Sequence, residues 1–423
     1  MTDIATTDEF LQLIDAPDVR IVDARPTAAF NGWRFGDETR TGHVRGAIAC
    51  PVTWLELADE TRLRSMLLAS PITPAHRVVV YGEDAHDAGR LAKQLETLGY
   101  REVYRFGGGF AALAADERVV VDRLARYDRL VYPQWLCDLV EGRPVERRPD
   151  RDPVLLHANF GVPEEYAEGH IPGAVFLDTN VLESSETWNR RSPAELDAAM
   201  RALGITFGTP VILYGRDSAA DPEEQVPGKR IGQIAATRAA VILTYAGVGD
   251  VRVLDGGYNA WVAAGFDVEE ELRLPEPVEA FGAAIPARPD VIVDFEEAED
   301  LVADPQGVLV SIRSWAEHVG ETSGYSYIDE TGDIPGAVWG NCGDSAYDMQ
   351  HYRSIDNTMK SYPEIAADWS DAGITPEKRV AFYCGTGWRA SEAWFYAYLM
   401  GWPQVALYDG GWFEWKNRML QDD

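Results

Sequence analysis

The sequence predicts an α/β protein made of three tandem copies of one unit, each a parallel sheet flanked by helices. Three observations carry this expectation. A six-residue motif occurs three times, an apolar run ending in tyrosine follows it each time, and a glycine pair closes each copy at a fixed distance. Repeats of this length signal one structural unit used again.

The motif reads Gly42-His43-Val44-Arg45-Gly46-Ala47, then Gly169-His170-Ile171-Pro172-Gly173-Ala174, then Gly332-Asp333-Ile334-Pro335-Gly336-Ala337. An apolar stretch precedes each: Ile21-Val22-Asp23-Ala24-Arg25, Val154-Leu155-Leu156-His157-Ala158 and Val308-Leu309-Val310-Ser311-Ile312-Arg313. The tyrosine-ending runs are Val78-Val79-Val80-Tyr81, Val211-Ile212-Leu213-Tyr214 and Val380-Ala381-Phe382-Tyr383. Short continuous apolar runs between turn signals suit strands buried on both faces of a parallel sheet.

A helical stretch follows each tyrosine and stops at Gly99, Gly247 or Gly401. The pairs Gly108-Gly109, Gly256-Gly257 and Gly410-Gly411 begin nine positions later in every copy. From the residue after the tyrosine to the helix-ending glycine is 17 positions in the first and third copies and 32 in the second. The second copy therefore carries an insertion that includes Asp221-Pro222-Glu223-Glu224. Strand, helix, strand in this order is the parallel α/β unit. Boundaries are expected near 126 and in the proline-bearing acidic stretch from Leu274 to Pro289, giving domains 1–125, 126–278 and 279–423.

The chain has 423 residues, with 69 acidic against 38 basic side chains and a net charge of −31. Such a surface repels nucleic acid and anionic membranes, so neither is an expected partner. No run of about 18 apolar residues suggests a membrane span. The start, Met1-Thr2-Asp3-Ile4, lacks a basic region followed by an apolar run, so a cytoplasmic location is expected. The four cysteines, Cys50, Cys137, Cys342 and Cys384, form no Cys-x-x-Cys pair. No metal site, redox pair or cofactor is therefore expected, and each cysteine is by default a small buried hydrophobe.

The Gly-His-Ile-Pro-Gly-Ala motif resembles a hallmark of rhodanese domains, as does the strand-ending Val-Asp-Ala-Arg. So do the closing segments Asp255-Gly256-Gly257-Tyr258-Asn259-Ala260-Trp261 and Asp409-Gly410-Gly411-Trp412-Phe413-Glu414-Trp415. The likeness covers nearly the whole chain. It is similar to a three-domain subfamily whose loop reads Cys-Gly-Thr-Gly-Trp-Arg. The resemblance implies a sulfurtransferase that moves sulfane sulfur from thiosulfate, through a cysteine persulfide, to cyanide or a thiol.

The residue after the strand-ending tyrosine is Gly82, Gly215 and then Cys384, so only the third copy offers a nucleophile there. The first two domains are expected to be structural; His86 and Ser218 lie in their loops without a triad partner. The third loop, Cys384-Gly385-Thr386-Gly387-Trp388-Arg389, sits between a strand end and a helix start. Unpaired backbone N–H groups converge there and favour anionic sulfur. Gly385 and Gly387 let the backbone curl. Arg389 supplies a permanent cation for holding the loop or an anionic donor. The substrate site is therefore expected to comprise Gly385, Thr386, Gly387, Trp388 and Arg389. Arg313, where related enzymes place a substrate-binding arginine, completes it.

Two departures stand out: Ser311 replaces the usual aspartate, and Asp333 replaces the motif histidine. Trp339, Tyr347, Tyr352 and Trp388 are candidates to line a cleft between the second and third domains or to pack; packing is expected for Tyr347 and Tyr352 and the cleft for Trp388. Cys50 and Cys137 are expected to be inert, as is Cys342, although it falls near the cleft. Phosphatases that share this fold use a loop one residue longer between cysteine and arginine, which makes a phosphatase the weaker reading. A 3-mercaptopyruvate donor and a persulfide carrier fed by another protein, such as a cysteine desulfurase, stay open.

Overall fold

The computed structural model describes residues 1–70, 72–217 and 232–422. The insertion around Asp221-Pro222-Glu223-Glu224 and Ser218 lie outside the described residues. Each third of the chain forms a five-stranded sheet in which all strands run parallel. The first contains Thr2–Ile4, Val19–Asp23, Ala47–Ala49, Arg77–Tyr81 and Glu102–Phe106. The second contains Leu130–Val131, Val154–Asn159, Val175–Asp178, Val211–Tyr214 and Val251–Leu254. The third contains Ile292–Val293, Gly307–Ser311, Val338–Trp339, Arg379–Tyr383 and Val405–Tyr408. In all three the spatial order is first, fifth, fourth, second, third.

The recurring residues have recurring jobs. The residue after each glycine pair donates its N–H to the carbonyl that follows the strand-ending tyrosine. The bonds are Phe110 to Gly82, Tyr258 to Gly215 and Trp412 to Cys384, each 2.9 Å. The second glycine of each pair, at φ +68, +57 and +56, must lack a side chain because the same loop backbone crosses it closely. The tyrosine hydroxyls reach the other motif. Tyr81 accepts from Val44 N–H at 3.1 Å, and Tyr214 accepts from Ile171 N–H at 3.0 Å.

The chain forms two compact units. One comprises Met1–Tyr127 with Ser354–Ala367, so a stretch that the sequence assigns to the third repeat packs with the first. There Trp54 donates its indole N–H to Asp356 at 2.7 Å, and the Tyr362 ring meets His43 and Phe30 edge-on. The second unit comprises Asp128–Arg353 with Asp368–Asp423 and holds the second and third sheets. Its centre is the helix Gly232–Ala246, every residue of which is buried, packed along the helix Trp388–Leu399. These two helices follow equivalent strands. Among the described residues, no helix is long and apolar enough to cross a membrane.

Candidate active site

Cys384 directly follows the buried strand Arg379–Tyr383 and is 0% exposed. The helix Trp388–Leu399 begins four residues later, with Gly387 at its N-terminus in a left-handed conformation, φ +82. That turn places the first-turn N–H groups, which have no intrahelical acceptor, around the loop. The closing helix grips the other side: Trp412 N–H bonds the Cys384 carbonyl and Phe413 N–H the Gly385 carbonyl, each at 2.9 Å. Ser391 adds N–H and hydroxyl bonds to the Gly387 carbonyl. The loop is thus held through its own carbonyls.

Arg389 is 1% exposed and works as a brace. Its two terminal nitrogens meet the Glu317 carboxylate at 3.0 and 2.8 Å. They also reach the Cys342 sulfur at 3.1 Å, the Ser345 carbonyl at 3.3 Å and the Tyr325 hydroxyl. Burial alone would raise the Glu317 pKa, but Arg389 and Arg313 outweigh it and hold it down to about 2. Arg313, expected to receive a substrate anion, is likewise fully buried. Its guanidinium bonds the Gly332 carbonyl at 2.7 Å and pairs with Glu317 and Asp333 at 3.3 Å. Both arginines are therefore neutralised within the protein, because a buried cation without a carboxylate costs several kcal/mol. Arg389 Nε, also buried, has no hydrogen-bond partner in the protein.

The two sequence departures explain each other. In the first repeat, Asp23 on the strand pairs with Arg25 and accepts from the Tyr81 hydroxyl, both within 2.8 Å, while His43 stacks on Phe30. In the third repeat the carboxylate has moved to the motif. Asp333 accepts from the Tyr383 hydroxyl, from Ser311 at 2.8 Å and from Ile334 N–H at 2.9 Å, and meets His318 at 2.5 Å. The serine makes room for the relocated aspartate. Burial, reinforced by Asp333, pushes the Tyr383 phenol well above its ordinary range, so this anchor beneath Cys384 stays neutral.

Residues that the sequence did not single out complete the site. Tyr325 lies over the loop so closely that a Cβ at Gly385 would overlap its ring. Tyr327 shares a side-chain hydrogen bond with Thr386, and both tyrosines interact electrostatically with Cys384. Burial raises both phenols, which makes them neutral hydrogen-bond donors. Trp388 is 7% exposed and donates its indole N–H at 3.0 Å to Glu183 of the middle repeat. Glu183 also pairs with buried Arg238, which pairs in turn with Asp409 of the closing motif. The cleft expected at Trp388 is thus a joint made by the second and third repeats.

Of the remaining residues, Tyr352 is core, bonded to the Gly340 carbonyl and to the Trp369 indole. Trp339 donates its indole N–H to the Arg313 carbonyl at 2.8 Å. Tyr347 packs edge-on against Tyr325. Cys50, Cys137 and Cys342 are buried. Cys342 nonetheless touches the site through Arg389, and burial pushes its thiol up to about 12. The only cluster of potential metal ligands among the described residues is the exposed group Asp84, His86 and Asp87. Asp84 there caps the helix that begins at Ala85.

Comparison with known proteins matches this arrangement. A model of the rhodanese-like domain matches residues 6–116, 154–264 and 294–418. The chain is 39% identical over 401 residues to the thiosulfate sulfurtransferase YnjE of Escherichia coli, covering 94% of this chain and 87% of that one. It also resembles the anaerobic ergothioneine biosynthesis enzyme of Chlorobium limicola, solved with trimethyl histidine. There the TM-score is 0.94 and the identity 42%, over 98% of this chain and 97% of the other. A second similar structure is the EanB cysteine persulfide in a tetrahedral intermediate state with ergothioneine, at TM-score 0.94 and 43% identity over 98% and 97% of the two chains. The chain belongs to the rhodanese family, as three rhodanese-like domains in tandem.

Proposed function

We propose that this protein is a sulfurtransferase that carries sulfane sulfur on Cys384, loaded from thiosulfate. The observation that supports it best is positional. The fold repeats its strand-to-helix loop three times, and only the third places a thiol where Gly82 and Gly215 stand in the others. The Cys384 thiolate attacks the outer sulfur of thiosulfate. The S–S bond of the donor breaks, sulfite leaves with the electron pair, and a persulfide forms. An acceptor then takes the outer sulfur and returns Cys384 to the thiolate. Such covalent catalysis gives ping-pong kinetics. With Arg313 and Arg389 neutralised, the loop N–H groups and the helix N-terminus are what meets the anionic donor.

Cyanide or a thiol satisfies the second half-reaction. A specific observation favours a second acceptor, the imidazole ring of a trimethylated histidine. Neutral phenols at Tyr325 and Tyr327, with Thr386, line the loop where a ring nitrogen needs hydrogen-bonding partners. The similar enzyme from Chlorobium limicola is described with trimethyl histidine as its natural substrate. In that reaction the outer sulfur bonds to the ring carbon and the Cys384–sulfur bond breaks. The carbon gives up its hydrogen as a proton, which balances the thiolate left behind.

Anaerobic incubation of thiosulfate-loaded protein with cyanide, a dithiol or trimethyl histidine tests both halves, with products read by mass spectrometry. Turnover with at least one acceptor that vanishes in Cys384→Ser supports the assignment. Product formation that persists in Cys384→Ser, or none with any acceptor, overturns it.

A further inference from the structure

The turn that grips the reactive loop is itself fastened by the thiol-less middle repeat. Asp409 directly follows the strand Val405–Tyr408 and precedes the glycine pair of that turn. It is 1% exposed. Arg190 of the middle repeat donates its backbone N–H to one carboxylate oxygen at 2.5 Å and brings its guanidinium to 3.3 Å. Buried Arg238, also of the middle repeat, meets the other oxygen at 2.7 Å and pairs with Glu183 as well.

From Asp409 the contact passes to both ends of the loop. The Asp409 carbonyl and the Arg238 guanidinium bound the space beside Gly387, 2.9 and 3.1 Å from where a Cβ would stand. Two residues on, Gly411 lies so close to the start of the loop that a Cβ would be 2.6 Å from the Cys384 oxygen and 2.8 Å from the Gly385 oxygen. The next two residues, Trp412 and Phe413, bond those same oxygens through their N–H groups.

Aspartate stands at this position in both repeats of the second unit, as Asp255 and Asp409, while the first repeat has Gly107. The first repeat still forms the same closing bond, from Phe110 N–H to the Gly82 carbonyl. The turn therefore folds without the carboxylate, and enclosing one costs desolvation that its arginines must offset. Of the two aspartates, only Asp409 fastens a turn that is bonded to a cysteine. A carbonyl dipole that faces sulfur disfavours the thiolate. The Cys384 and Gly385 carbonyls stay engaged elsewhere as long as the turn keeps its place. We infer that Asp409, gripped by Arg190 and Arg238, is a positioning residue that holds these carbonyls away from sulfur and so favours the Cys384 thiolate. This inference rests on the reading of Cys384 as the sulfur carrier. It gives the middle repeat a part in the chemistry of a thiol that it does not possess.

The test reads the thiolate itself, so it does not depend on whether sulfur is transferred. Ultraviolet absorbance across pH, taken as the difference between each protein and its Cys384→Ser counterpart, gives the midpoint of thiolate formation. Asp409→Asn keeps the shape and removes the charge that the arginines grip. Its midpoint is expected to rise by about one unit, a tenfold smaller thiolate fraction at a pH below it. Arg190→Leu is expected to shift the midpoint the same way by less, and Arg190→Lys, which keeps the cation, to retain most of the original profile. Tyr325 and Tyr327, which interact electrostatically with Cys384, and the Arg389–Glu317 pair are unchanged in every variant. Arg190→Leu leaves Arg238 to balance Asp409 and decides the matter where Asp409→Asn does not fold. A residue that only stabilises the fold would lower the urea midpoint and leave the thiolate profile of the folded protein in place. An unshifted profile in Asp409→Asn, or in Arg190→Leu where the first does not fold, overturns the inference. A wild type that moves no sulfur while the variants still shift would overturn the proposed function and not this role.

Discussion

Replacing Glu317 by glutamine tests how the reactive loop is held. Glu317 is fully buried and takes five donors: Arg389 twice, Arg313 at 3.3 Å, and the Ser314 N–H and hydroxyl at 3.0 and 2.8 Å. Glutamine keeps the shape but removes the charge. Its amide nitrogen must also face a donor on either side, since both carboxylate oxygens accept. Arg313 then keeps only the Asp333 carboxylate, and Arg389 loses its carboxylate partner. Breaking a buried pair in this way costs roughly 3–5 kcal/mol, a large part of the ~5–15 kcal/mol that holds a domain folded.

The pH dependence has a definite sign. The folded-state pKa of Glu317 is depressed, so its contribution is complete above the ordinary carboxylate range and is lost as pH falls toward about 2. Glu317→Gln is expected to lower stability at neutral pH and flatten the acid limb. Urea unfolding from pH 2 to 7, followed by tryptophan fluorescence, measures both. A loss below about 1 kcal/mol at pH 7, or an unchanged acid limb, would refute the claim that this carboxylate neutralises both arginines.

Other expectations can be checked alongside. Gly385→Ala forces a Cβ into the Tyr325 ring, so persulfide formation should fall by about tenfold or more, and a second change, Tyr325→Ala, should restore part of it; no loss in the single variant contradicts the packing. Burial pushes Glu183 up to about 7 against the pull of Arg238, so the folded state keeps a proton that the unfolded chain releases. Its contribution to stability should therefore decline as pH rises from about 4.5 to 7, and Glu183→Gln should remove that slope in urea titrations. Trp54→Phe removes the bond to Asp356 and should destabilise the first unit by about 1 kcal/mol, read by urea denaturation. Comparing kcat/KM for thiosulfate and 3-mercaptopyruvate should favour thiosulfate, and a large preference for mercaptopyruvate would reassign the donor.

The repeat was legible because its demands are local. The glycine pair bonds the loop after the tyrosine, and the tyrosine hydroxyl reaches the Gly-x-x-x-Gly-Ala turn within the same copy, so each copy carries its own evidence. Cys384 stood out for the same reason, at a position where the other copies have glycine. The partners of Arg313 and Arg389 were less visible. Glu317 follows Arg313 by one helical turn yet precedes Arg389 by 72 residues, and only folding shows that one carboxylate serves both. Tyr325 and Tyr327 sit between the strand and the motif, where the three copies share no pattern. Arg190 and Arg238 belong to a repeat that the missing thiol marks as structural. Arg238 lies on the helix Gly232–Ala246, whose packing against Trp388–Leu399 is a contact between repeats that periodicity within a repeat does not encode. The placement of Ser354–Ala367 with the first repeat is hidden for the same reason.

The mass of the intact protein after brief exposure to thiosulfate tests Cys384 as the sulfur carrier most directly. A gain of one sulfur atom is expected on the wild type, reversed by cyanide or a thiol and absent in Cys384→Ser but retained in Cys342→Ser. Sulfur that still loads on Cys384→Ser, or a wild type that gains none, would contradict it.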